Sequence, residues 1–70
     1  MEVRGKNVHG HKWHISQKRI QACIKDVQGI IPEGEYLLRW EIRIDHGGDP
    51  RFVAIIREPH NNRKEYTLPI

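Results

Sequence analysis

The sequence predicts an α+β fold: one small domain over residues 1–70, in the order β-α-β-β-β, with one helix packed on a mainly antiparallel sheet. Two observations carry this. Ile20, Cys23, Ile24 and Val27 recur at i, i+3, i+4 and i+7, the apolar stripe of an amphipathic helix. Downstream the period changes to two, in runs over 36–45 and 51–58. Between them lies His46-Gly47-Gly48-Asp49-Pro50, whose glycines supply the positive φ of a tight reversal.

Each element follows from its neighbours. Residues 1–10 are polar, interrupted by Gly5 and Gly10, and are expected to be flexible. His11 to Ile15 alternates as a short strand, with Trp13 and Ile15 on one side and Lys12 and His14 on the other. Ser16 is placed to cap the helix, and Ile15 and Ile20 stand at the two positions of a hydrophobic staple. Gly29 suits a left-handed C-cap, and Pro32 bars continuation. In the run 36–45, Leu38, Trp40, Ile42 and Ile44 face the helix, and Arg39, Glu41, Arg43 and Asp45 face away. The run 51–58 is apolar on both sides, with Phe52, Ala54 and Ile56 facing one way and Val53 and Ile55 the other. That pattern belongs to a central strand. After the turn at 59–62, residues 64–68 form a last strand with Tyr66 and Leu68 inward.

Bulk properties narrow the function. Hydrophobic residues make up 37% and charged residues 30%, values of a folded chain. A chain of 70 residues buries only about 60% of the surface its unfolded form exposes, so the core is thin. No stretch approaches the roughly 20 apolar residues of a membrane span, and no apolar signal region follows Met1. Cys23 is alone and forms no internal disulfide, which points to a cytoplasmic protein without membrane contact. The net charge of +3 favours an anionic partner: nucleic acid, a phosphorylated ligand or an acidic protein surface.

Three constellations are candidates for chemistry. The first is the sheet face turned away from the helix. There Arg39, Arg43 and Arg57 converge, joined by Lys12 and His14 if the first strand enters the same sheet. Guanidinium forks match phosphate oxygens, so this face is expected to bind nucleic acid, RNA or single strands in particular. Glu41 and Glu65 sit among the arginines as cross-strand partners, and the alternation leaves no aromatic on that face. The second is the group His9, His11 and His14. In extended backbone His14 points away from the other two and no fourth ligand is near, so neither a metal nor a cofactor is expected. Phosphate-loop, paired-cysteine and Ser/His/Asp patterns are absent.

The third constellation rests on a resemblance. Residues 35–42 (Glu-Tyr-Leu-Leu-Arg-Trp-Glu-Ile), 52–56 (Phe-Val-Ala-Ile-Ile) and 63–66 (Arg-Lys-Glu-Tyr) look like the C-terminal meander of RelE-type toxins. That resemblance implies a metal-independent ribonuclease, for which His14, Glu41, His60, Arg43 and Arg57 are the residue types needed. It covers only the C-terminal half, and the N-terminal part is shorter than the family's helices require. A further reading is a regulatory or inhibitory protein-interaction module, possible as a homodimer. It would use an exposed Val53–Ile55 patch and unprotected sheet edges.

Overall fold

The computed structural model describes residues 2–70. Its elements run β1 (Val3–Lys6), β2 (Lys12–Ile15), α1 (Gln17–Ile30), β3 (Tyr36–Ile44), β4 (Pro50–Arg57) and β5 (Arg63–Pro69). The α+β class is as expected, with one strand more. β1 and β2 form their own antiparallel ribbon, and β3-β4-β5 form a separate antiparallel meander.

The helix starts where the sequence places it. Ser16 accepts a hydrogen bond from the Arg19 N–H at 3.1 Å, and the staple residues Ile15 and Ile20 are both buried. Its end differs. Gly29 is helical, and the cap falls at Ile31, whose N–H reaches the Val27 carbonyl at 3.1 Å. Pro32 follows immediately and supplies the stop on its own.

One core joins the helix to both sheets. Ile20, Cys23 and Val27 of α1 pack with Ile15 of β2 and with Phe52, Ala54 and Ile56 of β4. Val3, Trp13, Leu37, Trp40, Ile42, Tyr66 and Leu68 close its rim. The Trp40 and Phe52 rings stack with centroids 5.6 Å apart. Cys23 lies inside this core, and desolvation raises its thiol above the ordinary range, so it fills space rather than reacts.

β3 departs from strict alternation. Leu37 pairs with Ile56 and Arg39 with Ile55, so Leu38 is the extra residue of a β-bulge. Leu37 therefore turns inward in place of Leu38, and Tyr36, opposite Arg57, turns to the outer face. Ile44 keeps its inward parity but is 53% exposed, with no part of the core over it.

Gly5 explains how the ribbon is held. A Cβ at Gly5 would lie 2.3 Å from Trp13 Cζ2, so the indole rests directly on this glycine. The ring cannot swing aside cheaply, because its Nε1–H donates to the Gly48 carbonyl at 2.8 Å. The Val8 N–H reaches the Gly47 carbonyl at 2.9 Å, and Asn7 Nδ2 reaches Asp49 at 3.3 Å. The ribbon is thus clipped to the β3–β4 turn. Gly5→Ala is expected to cost about 1–3 kcal/mol by overpacking and to lower the melting temperature by roughly 4–20 °C. An unchanged thermal melt would show that the indole is not seated there.

Candidate nucleic-acid interface

Ladder parity defines the outer face of the meander. Cross-strand partners stand on the same side, so the face consists of four rows across β3, β4 and β5. They are Arg43–Arg51–Pro69, Glu41–Val53–Thr67, Arg39–Ile55–Glu65 and Tyr36–Arg57–Arg63. With strands roughly 4.8 Å apart, each row is about 10 Å wide.

Val53 and Ile55 do not form the exposed patch expected from the sequence. They are 2% and 4% exposed. A salt-bridge clamp spans the same face. Arg43, on β3, donates through Nη1 and Nη2 to the two carboxylate oxygens of Glu65 on β5, each at 2.8 Å. Its Nε donates to Glu41 at 2.9 Å, and Nη2 also meets Glu41. The guanidinium therefore bridges the two outer strands across the β4 row that holds the two aliphatic side chains. Glu65 and then Glu41 hold Arg43 above its ordinary range, and Arg43 in turn holds the Glu65 carboxyl below its own. Arg43 is thus committed to two carboxylates.

The other arginines divide by partner. Arg51 meets Asp45 at 3.2 Å, and the same carboxylate accepts the Gly47 and Asp49 N–H groups at 2.9 Å, which fixes the β3–β4 turn. Arg57 donates to the neutral amide oxygen of Asn61. Arg39 and Arg63 form no hydrogen bond or ion pair with any described residue. Arg39, Arg57 and Arg63 thus occupy one end of the outer face without a carboxylate in contact, and Tyr36, 55% exposed, completes the row beside them.

The turn that closes this end is strained. His60 and Asn61 both have φ of 65°, the left-handed region that side chains other than glycine enter at a cost of about 1–2 kcal/mol per residue. Asn61 tolerates it better than most residues, and the conformation aims its side chain at Arg57.

Lys12 and His14 are not part of this face. The first strand pairs with β1 rather than joining β3-β4-β5, which places both residues on the outer side of the ribbon. The ribbon and the meander contribute to the same core but are separate sheets, so Lys12 and His14 enter none of the four rows of the outer face. Of the set suggested by the toxin resemblance, Glu41, Arg43 and Arg57 lie on the outer sheet face, His60 lies in the turn that closes it, and one member stands apart. His14 lies on the ribbon, and Glu41 and Arg43 are bound to each other. His9 and His11 stand with ring centroids 6.4 Å apart, and no group of three metal-ligating side chains occurs among the described residues.

Two functional candidates escaped the sequence reading. Arg63 was legible, because extending the alternation of Tyr66 and Leu68 backward puts residue 63 on the outer face. Tyr36 was not, because only the bulge reverses its direction. No helix among the described residues is long and apolar enough to cross a membrane. Comparison with family models, curated proteins and solved structures returns no match.

Proposed function

We propose that the chain is a small module that binds nucleic acid, single-stranded RNA in particular, on the outer face of its three-stranded sheet. One observation carries the reading. Tyr36, Arg57 and Arg63 form one row in which neither arginine has an ion pair, and Arg39 in the next row feels Glu65 only at a distance. Like charges directly opposite in a ladder are destabilising, and Arg57 faces Arg63. The pair Arg43–Arg51 shows how the same sheet relieves such repulsion, by supplying Glu41, Glu65 and Asp45. At Arg57–Arg63 that relief is missing, and a phosphate backbone would provide it. An exposed tyrosine beside the arginines adds a stacking platform for a base, the combination used for single strands. Val53 and Ile55, the apolar patch that a protein-interaction module would use, are buried.

The direct test is fluorescence anisotropy of a labelled single-stranded RNA oligonucleotide over a series of salt concentrations. Binding should weaken linearly on a log–log plot. Absence of binding at low salt would remove the proposal.

Two substitutions separate the contributions. Tyr36→Ala should weaken binding by about 1–3 kcal/mol, the usual worth of one stacked base, while leaving the salt slope unchanged. A change in slope with no loss at high salt would show that the ring does not stack. Glu41→Gln combined with Glu65→Gln should act the other way. It releases Arg43 for a further phosphate contact, so binding tightens and the slope steepens by roughly 0.7. Weaker binding in that variant would mean that the clamp itself shapes the site.

A further inference from the structure

The outer side of the β1–β2 ribbon repeats the unrelieved pairing on a smaller scale. Lys6 stands directly opposite Lys12, and Arg4 opposite His14. Neither Lys6 nor Lys12 meets a carboxylate among the described residues. Glu2 lies at the far end, 3.0 Å from Arg4 and 3.2 Å from His14 Nε2, too far along the ribbon to neutralise the lysines. These residues, with Gly5 and Trp13, line a shallow trough of about 580 Å³ to which no residue outside the ribbon contributes.

Cross-strand Cβ atoms at such a pair are about 5 Å apart, so two ammonium groups can close on the oxygens of one phosphate. The platform beneath them is rigid. Trp13 is wedged on Gly5 and bonded to Gly48, and the β1–β2 turn is bonded to Gly47 and Asp49. A preformed basic trough holds its ligand without first having to be ordered.

From this geometry we infer that the ribbon is a second phosphate-binding surface, through which one molecule holds two segments of nucleic acid at once. The inference rests on the proposal for the outer sheet face and extends it. The ribbon and that face belong to separate sheets and share no residue, so each offers a surface for its own strand segment. Lys6, Lys12 and Arg4 would grip the phosphate backbone, the part of the strand that carries no sequence information.

The experiment is a bridging assay. Beads bearing one single-stranded RNA oligonucleotide are incubated with the protein and with a second, fluorescent oligonucleotide of the same length, and retained fluorescence is measured. Wild type should retain the second strand. Lys6→Gln combined with Lys12→Gln should bind a single oligonucleotide in anisotropy within about threefold of wild type, because Lys6 and Lys12 lie outside the sheet face, yet lose most of the bridging. Adding the same pair of substitutions to a chain lacking Arg39, Arg57 and Arg63 should abolish the residual binding of that chain. Both lysines are exposed on the ribbon, and relief of their repulsion leaves the thermal melt unchanged or raised, which a circular-dichroism scan verifies.

Bridging that persists at the wild-type level in the lysine variant overturns the inference, as does a wild type that binds one oligonucleotide but never retains a second. A wild type that binds no oligonucleotide at all overturns the sheet-face proposal as well, so the two failures are distinct.

Discussion

Replacing Arg39, Arg57 and Arg63 together by glutamine is expected to lower affinity for a single-stranded oligonucleotide by on the order of 100-fold at low salt. The log–log salt slope should flatten by about 2. The slope is the stronger criterion. Each phosphate neutralised on a single strand contributes roughly 0.7, so three lost contacts have a defined signature that unfolding does not share. The fold should survive. The side chains of Arg39 and Arg63 form no hydrogen bond or ion pair with a described residue, Arg57 gives up one bond to Asn61, and the Arg57–Arg63 repulsion disappears. Surface substitutions of this kind stay within roughly 0.5 kcal/mol of wild type each. Affinity within threefold of wild type in the folded triple variant would leave the sheet face without a role. A loss of affinity with the slope unchanged would point to stacking on Tyr36 instead of charge.

The contrast between the arginine pairs also separates what stabilises the sheet from what it is proposed to hold. Arg43 and Arg51 come with carboxylates at hydrogen-bond distance. Arg57 and Arg63 come with none, in a hairpin whose turn already holds two residues in left-handed backbone. A site at which several local rules are broken together is where a ligand is expected to restore the balance.

Local pattern made most of this architecture legible. The stripe Ile20-Cys23-Ile24-Val27 is buried as a helix face, apart from the half-covered Ile24, and the doubly apolar run 52–56 became the central strand. The pairing of Arg43 with Glu41 and Glu65 followed from alternation plus register. What failed was non-local. Val3-Arg4-Gly5-Lys6 reads as a weak, glycine-broken segment, yet Gly5 is there because the Trp13 indole needs the space, a contact visible only once the strands have paired. Lys12 and His14 alternate identically whether their strand joins the meander or pairs with β1, and so the sequence could not say which surface they serve. The doublet Leu37-Leu38 was the sole trace of the bulge. A bulge moves every residue before it to the opposite face, and here it puts Tyr36 on the outer face opposite Arg57.

Phe52→Ala is expected to have the largest effect on stability of any single substitution, and the reason lies in how thin the core is. The side chain is 0% exposed, stacks on Trp40, and stands between Ile42 and Leu68 in the ladder beneath the helix. Removing a buried phenylalanine costs about 3–5 kcal/mol, through lost transfer energy and the cavity left behind. A core of this size supplies about 3–5 kcal/mol of net stability, so the variant should be largely unfolded at 25 °C. Circular dichroism and the emission of Trp40 would report the loss together. Val53→Ala provides the control within the same strand. Val53 is as deeply buried, but its truncation removes only two methyl groups and no ring stack, so the cost should be about 1–2 kcal/mol. If both variants melt alike, the two faces of β4 are equally packed and the outer face is not free to bind. If Phe52→Ala alone unfolds, stability resides on the helix side, and the arginine side is left available for a ligand.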